Sequence, residues 1–280
     1  MEVAAADSPT TVGALLRRWR AARRMSQLDL AQAAEVSARH LSFLETGRAK
    51  PSRQMLLVLG SVLDLPLRER NALLLAAGFS GAYPETPLDE PRMAAMRGAL
   101  ELILRQHDPF GAVAMDRHWN VVMMNAGYVR LAGALLGTTL PAFAVLPEPR
   151  PNALRLLFDP AGFRPHVANW PDVARELLLR VHREALWSGD PGTRALLAAL
   201  VAAPGVSQDW REVDLETVPS LIVPVEVKVG EATARFFTTL TTLGAPQDIT
   251  LQELRIESFH PADEATARLV RGLAPGTGRP

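Results

Sequence analysis

The chain has 280 residues, 48% of them hydrophobic, which is enough for two domains with ordinary apolar cores. It contains no cysteine, so disulfide bonds and thiolate metal sites are excluded. The first residues do not combine a basic segment with an apolar core, and no run approaches the roughly 18 apolar residues of a membrane span. We therefore expect a soluble cytoplasmic protein with no membrane partner.

The charges are unevenly distributed, although the formal net charge is zero. Residues 10–78 carry eleven Lys and Arg against five Asp and Glu, whereas residues 79–280 carry four more acidic than basic residues. An excess of positive charge in one part of a chain is typical of a surface that contacts nucleic-acid phosphates. The distribution favours DNA binding by the N-terminal part.

Three helices are predicted at the start of the chain. Residues 1–9 are small and polar, and we expect a flexible N-terminus there. Residues 12–24 have one apolar face and one basic face, as an amphipathic helix requires. Two short helical patterns follow, residues 27–34 and 37–46, and the gap between them is too short for antiparallel packing. This spacing predicts two steeply crossed helices, as in a helix-turn-helix.

The second helix of this pair is predicted to read DNA. Ser37 is placed to cap it, Arg39 can pair with guanine in bidentate fashion, and Phe43 can contact a thymine methyl group. Arg48 and Lys50, just past the helix, would contact phosphates. The predicted DNA-binding residues are Gln27, Ser37, Ala38, Arg39, His40, Ser42, Phe43, Arg48 and Lys50.

The same region resembles a known family. The matching residues are Ser26-Gln27-x-x-Leu30-Ala31, Val36-Ser37 and Leu41-Ser42-x-Leu44-Glu45-x-Gly47-Arg48. They resemble the phage-repressor or XRE class of regulators, which implies a five-helix domain that binds DNA as a dimer. Glu35 stands where that class often has glycine, and a left-handed backbone there would cost about 1 kcal/mol. The alternative is a helix corner in an unrelated helical protein.

Two further helices, residues 51–63 and 66–77, complete a predicted DNA-binding domain of residues 10–78. Residues 79–91 contain three prolines and show no apolar periodicity. A linker is predicted there, with an ordinary surface loop as the alternative. The helix predicted next, residues 92–107, has one apolar stripe and could serve in dimerisation.

The pattern then changes to the alternation of β-strands. Residues 110–116 and 119–125 are predicted to form a hairpin with a tight Arg117-His118 turn. The other predicted strands are residues 221–229, 233–243 and 251–259. Residues 127–219, between the two groups of strands, are predicted to be mostly helical.

We therefore predict an α+β protein of two domains. An all-α five-helix domain is followed, in residues 92–272, by an antiparallel five-stranded sheet with a helical cover on one face. Residues 273–280 are expected to form a flexible tail.

The second half resembles another family. The matching stretches are residues 107–125 (HDPFGAVAMDRHWNVVMMN), 152–160 and 236–257. They resemble the MmyB-like ligand-binding domain that follows an XRE domain in many bacterial regulators. The resemblance implies a PAS-like sheet whose helical cover encloses a pocket for an apolar small molecule, with a fatty acid as the ligand class.

A sheet under a helical lid is a usual setting for an apolar cavity with few polar anchors. Arg155 and Asn152 are predicted to hold a ligand carboxylate, because Arg presents a bidentate fork; the alternative is an Arg155–Asp159 ion pair. For each apolar candidate the alternative is ordinary core packing. The predicted ligand-binding residues are Phe110, Met115, Trp119, Met123, Phe143, Asn152, Leu154, Arg155, Phe158, Trp170 and Phe237.

No catalytic or metal-binding pattern is found in the sequence. The six histidines are scattered, and no nucleophile elbow is present, so we expect neither a cofactor, a metal nor enzymatic activity. The prediction is a transcription regulator, a homodimer, whose partners are double-stranded operator DNA and an apolar effector such as a fatty acid. Two alternatives stay open: a second domain that binds a protein partner, and one that acts enzymatically on its ligand.

Overall fold

The computed structural model describes residues 11–137, 141–212 and 223–273. The chain divides into two compact units. The first comprises Met1–Thr86 and Gly244–Gln252, and the second Pro87–Leu243 and Glu253–Pro280. The predicted flexible N-terminus and all but the first residue of the predicted tail lie outside the described residues. The division after Thr86 falls within the predicted linker, whereas the sequence did not indicate that residues 244–252 belong to the first unit.

Residues 11–86 form five α-helices, which confirms the predicted five-helix domain. They are α1 (Val12–Ala22), α2 (Gln27–Ala33), α3 (Ala38–Glu45), α4 (Arg53–Val62) and α5 (Leu67–Ala76). The hydroxyl groups of Ser26, Ser37 and Ser52 each accept a hydrogen bond from the backbone N–H three residues further on. Because the first N–H groups of a helix have no partner within it, these caps set where α2, α3 and α4 begin.

The five helices enclose one apolar core. Leu16 of α1, Leu30 of α2 and Leu41 of α3 are fully buried in it. Leu28, also on α2, is instead 55% exposed, because position 28 lies outside the narrow stripe that Leu30 and Ala31 define on this short helix.

The turn between α2 and α3 has the backbone that the XRE class usually gives to glycine. Glu35 has a φ of +55°, as predicted for this position. The N–H of Val36 donates to the carbonyl of Ala31 at 2.9 Å, which closes the end of α2. This bond and the contacts of the half-buried Val36 with the core help to offset the left-handed backbone, which costs roughly 1 kcal/mol.

The second unit is built on one antiparallel sheet. Its strands are β1 (Ala112–Met115), β2 (Val121–Met124), β3 (Val225–Val229), β4 (Ala232–Thr242) and β5 (Arg255–Pro261), in the order β2-β1-β5-β4-β3. The helices along the rest of the chain are α6 (Ala94–Gln106), α7 (Ala126–Leu136), α8 (Ala153–Phe158), α9 (Trp170–Ser188), α10 (Pro191–Val201), α11 (Ile249–Glu253) and α12 (Glu264–Gly272). The predicted five-stranded α+β fold is confirmed. The first two residues of the third predicted strand, 221 and 222, lie outside the described residues.

The β1–β2 hairpin is confirmed, but its connection is longer than the predicted two-residue turn. The carboxylate of Asp116 accepts hydrogen bonds from the N–H groups of His118 (2.8 Å) and Asn120 (2.9 Å). Trp119, between them, has a φ of +68°. A side chain therefore closes this loop, and Trp119 turns inward from it to become almost fully buried.

The sheet is covered on both faces at β1, not on one face as predicted. Val113 and Met115 belong to the apolar core that includes residues of α9. Ala112 and Ala114 alternate to the opposite face and are also buried. Because α6 packs against β1, the helix that follows the linker contributes to the cover of the sheet.

The connection between β4 and β5, residues 244–252, belongs to the first unit. Helix α5 begins after Pro66, whose side chain has no hydrogen-bond acceptor to cap the helix. The free N–H of Leu67 instead donates to the side-chain oxygen of Gln252 at 2.6 Å. A helix N-terminus therefore receives its missing acceptor from a residue far along the chain.

A second set of hydrogen bonds holds the same segment. The carboxylate of Asp248 accepts hydrogen bonds from the backbone N–H and the hydroxyl of Thr86, and both residues are buried. The N–H of Ile249 donates to the carbonyl of Pro84 at 2.8 Å. Residues Ile249–Glu253 are thus helical, and β5 begins at Arg255, so the predicted strand start at residue 251 was wrong.

Candidate DNA interface and ligand cavity

The outward side of α3 combines an aromatic ring with two arginines. The guanidinium carbon of Arg39 lies 5.4 Å from the centroid of the Phe43 ring, and that of Arg48 lies 6.0 Å from it. Arg39, Arg48 and Lys50 are exposed, whereas Phe43 and Ser42 are half-buried. Contact with a ring face restrains a guanidinium without neutralising it, so both arginines are held near α3 with their charge available for DNA.

The start of α3 has the geometry of a capped helix. The hydroxyl oxygen of Ser37 accepts the N–H of His40 at 3.1 Å, so this oxygen already has a partner. Ala38 and His40 are half-buried. A phosphate at this position would meet the remaining N–H groups of the first turn and the Ser37 hydroxyl proton.

Gln27 has a partner within the first unit. Its side-chain amide donates to the carboxylate of Glu45 at 2.9 Å. Gln27 lies three residues before Leu30 and four before Ala31, on the buried face of α2, and this spacing could have been read from the sequence. A phosphate contact by Gln27 remains a prediction, but it would have to use the part of the amide that faces away from Glu45.

Glu45 is the buried centre of a charged network. Arg20 donates to its two carboxylate oxygens at 2.6 and 2.9 Å, and Arg17 donates to its backbone carbonyl at 2.9 Å. The side chain of Glu45 is completely buried. Burial alone would raise its pKa, but the hydrogen bonds from Arg20 and Gln27 and the nearby positive charges outweigh it and hold the pKa of Glu45 below its usual value. Part of the predicted basic face of α1 therefore stabilises the fold.

The second unit contains a cavity of about 530 Å³. It lies between β3, β4 and β5 on one side and α7, α8 and α9 on the other. Its wall includes Leu131, Leu154, Leu177, Val225 and Phe259. Both the volume and the mainly apolar wall are typical of sites for small organic ligands.

Trp119 and Leu154 are the two predicted ligand-binding residues that line this cavity. Two arginines contact the ring of Trp119: the guanidinium carbons of Arg180 and Arg255 lie 5.2 and 5.4 Å from its centroid. Its ring N–H donates to Glu184 at 3.2 Å. The two arginines and Glu184 therefore fix the position of the Trp119 ring in the cavity wall.

The other predicted apolar residues are not among the residues that line the cavity. They are Phe110, Met115, Met123, Phe143, Phe158, Trp170 and Phe237. Met115 and Phe158 are buried in the surrounding apolar core, and Phe158 meets the ring of Trp170 edge-on at 4.8 Å. Phe237 stacks on His260 with the ring centroids 4.9 Å apart. Met115 and Phe158 therefore pack in the core, as the alternative interpretation expected.

The predicted carboxylate anchors are also absent from the cavity wall. Asn152 caps α8, where its side-chain oxygen accepts the N–H of Arg155 at 3.0 Å and its amide donates to the carbonyl of His118 at 2.6 Å. The side chain of Arg155 points away from the core, and the residue is exposed. Asn152 is thus used to begin a helix, which the pattern of one polar residue before an apolar run could have indicated.

Two family models match the chain. A helix-turn-helix domain model matches residues 11–73, and the model described as "MmyB-like transcription regulator ligand binding domain" matches residues 96–273. The chain belongs to the MmyB-like transcription regulators. A search among curated proteins finds no match. This regulator therefore combines a DNA-binding domain with a ligand-binding domain.

The polar residues of this MmyB-like cavity were missed at the sequence level. Glu176, Arg180 and Arg183 line it from α9, and Glu257 lines it from β5. Glu176 and Arg183 are exposed at the rim, whereas Arg180 is half-buried. One signal was available for Glu257. It lies two residues before Phe259 in the strand, so the two side chains point to the same face of the sheet.

Other site chemistry is scarce in this MmyB-like chain. Within residues 11–137, 141–212 and 223–273, no three His, Asp or Glu residues are grouped as metal ligands. None of the helices in these ranges has both the length and the hydropathy that a membrane crossing requires.

Proposed function

We propose that this regulator is a cytoplasmic, sequence-specific DNA-binding homodimer whose second unit senses an apolar small molecule, a fatty acid in the first instance. The observation that carries the proposal is the apolar cavity of about 530 Å³ within the ligand-binding domain. A mainly apolar wall favours an acyl chain, and the exposed Arg183 at the rim can meet a carboxylate. The predicted likeness of the sheet to PAS domains belongs to the same proposal.

The test is native mass spectrometry of the purified full chain, followed by extraction and identification of any released small molecule. A stoichiometric acyl ligand on a dimer is the expected result. Two residues on α6, Leu102 and Ile103, are 58% and 37% exposed, which fits the proposed role of this helix in dimerisation. An empty monomer would contradict both parts of the proposal.

The alternative in which the second unit binds a protein has a different structural expectation. That reading predicts a filled core under the helical cover, and the cavity argues against it. The enzymatic alternative requires a nucleophile or a metal beside the ligand. Among the described residues that line the cavity there is no serine or histidine, and the described part of the chain contains no group of three His, Asp or Glu that could hold a metal.

Base reading and phosphate binding are assigned to different residues of the DNA interface. Arg39→Ala is expected to weaken binding to the specific operator by about 1–3 kcal/mol and to relax specificity at one base pair. Lys50→Ala is expected to weaken specific and random DNA to the same extent, because a phosphate carries no sequence information. Fluorescence anisotropy with both DNAs at fixed salt checks this, and equal losses on both DNAs for both variants would contradict the assignment.

The β4–β5 connection is the proposed route from cavity to DNA-binding domain. Thr238 of β4 and Glu257 of β5 line the cavity, and the two strands are joined through residues 244–252, which are bound within the first unit. A ligand that changes the spacing of β4 and β5 would therefore pull on a segment hydrogen-bonded to Leu67 and Thr86.

Asp248→Ala removes the buried carboxylate that binds Thr86. We expect the variant to bind an added acyl ligand as the wild type does, but to lose most of the ligand's effect on DNA affinity. Couplings of this kind are typically about 5- to 150-fold. The measurement is DNA affinity with and without octadecanoic acid, and Asp89→Ala, an exposed acidic residue of the linker, is the matched control. A full ligand response in Asp248→Ala would rule out this route.

A further inference from the structure

A carboxyl group lies on the floor of the cavity. Glu257 belongs to β5, the central strand of the sheet, and its cross-strand neighbours are Val113 on β1 and Leu240 on β4. Both neighbours are apolar, and Val113 also lines the cavity. A charged residue type therefore stands in the middle of an apolar surface that faces the ligand space.

The nearby arginines do not neutralise this carboxyl group by direct contact. Arg255 donates to Glu184 at 2.6 Å, and Arg180 lies 3.7 Å from the same carboxylate. Among the described residues Glu257 forms no salt bridge. The nearby Thr238 hydroxyl and the charge of Arg180 each favour the ionised form of Glu257 and so lower its pKa, against the effect of burial. Glu257 thus lines the cavity without an ion-pair partner among the described residues.

A second polar group faces the same space. Tyr128 of α7 lines the cavity, and within the described part of the chain its hydroxyl makes no hydrogen bond. Burial, and then the charge of Glu257, raise the pKa of Tyr128, so its hydroxyl keeps its proton and is a donor. Burial likewise raises the pKa of Glu257, and the Thr238 hydroxyl and Arg180 offset this only in part.

Polar groups such as Glu257 and Tyr128 are unfavourable in the wall of a cavity that holds only hydrocarbon. Removing water from such groups without replacing its hydrogen bonds destabilises the complex. A plain acyl chain would leave both Glu257 and Tyr128 in that state, whereas an oxygen atom on the chain would satisfy them. We propose that Glu257 and Tyr128 bind a neutral oxygen, a hydroxyl or keto group, on the buried part of the ligand. The inference rests on the proposed acyl-ligand function.

The charge distribution argues against an ionised group at this place. A ligand carboxylate beside Glu257 would bring two acidic groups together in an apolar environment. An ammonium group would meet the field of Arg180, which already attracts Glu257. The charged end of the ligand belongs instead at the rim, beside the exposed Arg183. The site therefore selects an oxygenated acyl chain over an unsubstituted one.

Calorimetric titration of the full chain with matched acids tests the inference. The probes are octadecanoic acid and positional isomers of hydroxyoctadecanoic and oxooctadecanoic acid. The wild type is expected to bind at least one oxygenated isomer about tenfold more tightly than octadecanoic acid, the value of one net hydrogen bond. Glu257→Leu is expected to abolish this preference while it keeps or improves the affinity for octadecanoic acid.

Further variants make each outcome decisive. Glu257→Gln keeps a neutral hydrogen-bonding group and is expected to retain the preference, which separates recognition from loss of folding. Glu231→Gln, at an exposed residue of the β3–β4 turn that does not line the cavity, is the control and should behave as the wild type. A preference unchanged in Glu257→Leu, or equal weakening of all acids, overturns the inference but leaves the acyl sensor intact. Binding of no acid by the wild type overturns the proposed function and the inference together.

Discussion

Replacing Glu45 with alanine is expected to lower the free energy of unfolding of the DNA-binding domain by about 3–5 kcal/mol, because it leaves the partly buried guanidinium of Arg20 without its partner. The carboxylate of Glu45 is completely buried and joins Arg20 of α1 to Gln27 of α2. Three of the five helices are therefore linked through one side chain. Hydrogen exchange measured by mass spectrometry on peptides of residues 11–76 reports the stability of this domain within the full chain.

A double variant separates the ion pair from general damage. Glu45→Leu combined with Arg20→Met replaces both charges with apolar groups and should recover much of the stability that either single change loses. A loss in the double variant equal to the sum of the single losses would contradict a direct interaction. Exchange in the second unit, residues 94–136 for example, serves as the internal control.

The stability contributed by Glu45 also has a defined pH dependence. Its pKa is lower in the folded protein than in the unfolded chain. The contribution is therefore fully present above the unfolded value, about 4.3, and is lost as the pH falls through the lower folded value. The wild type should lose stability in this acidic range more steeply than Glu45→Gln.

The second large effect is expected from Leu154→Trp. Leu154 is 2% exposed on α8 and forms part of the cavity wall. A tryptophan at this position occupies the space of the ligand, so the affinity for the best acyl probe is expected to fall at least tenfold, an effect of about 1.4 kcal/mol or more. The measurements are the ligand content of the purified variant and its titration with octadecanoic acid.

Leu156→Trp is the matched control for this substitution. Leu156 lies on the same helix, is half-buried and is not among the cavity residues. Overpacking alone destabilises by roughly 1–3 kcal/mol and should affect folding in both variants. Only Leu154→Trp should lose the ligand, and DNA binding without ligand should persist. Unchanged ligand content in Leu154→Trp would contradict the placement of the ligand in this cavity.

Local patterns in the sequence were sufficient for most elements. The serine before the second apolar run predicted the start of α3, and the spacing of apolar residues predicted α2. The left-handed turn at Glu35 was expected from the resemblance to the XRE class. Alternating apolar residues predicted the strands, because a sheet buries every second residue of each strand on one face. Caps and apolar periodicity depend only on residues that are close together in the chain, so they can be recognised from the sequence.

The cavity lining was predictable only in part. An aromatic or aliphatic residue looks the same in sequence whether it packs in a core, like Phe158, or borders a cavity, like Leu154. Arg155 was a reasonable anchor by residue type, but the orientation of α8 turns it to solvent. The selection of Arg180, Tyr128 and Glu257 instead depends on how a helix face meets a sheet, which no local pattern determines.

The sequence by itself determined a helix-turn-helix flanked by basic residues and a mixed α/β second half, because caps, turn geometry and periodic burial are local properties. Only the tertiary structure decided which charges serve the fold. It assigned Gln27 and Arg20 to Glu45, and it brought residues 244–252 of the β4–β5 connection into the first unit. These pairings join residues far apart in the chain, and they form because buried hydrogen-bonding groups must find partners wherever the packed elements place them.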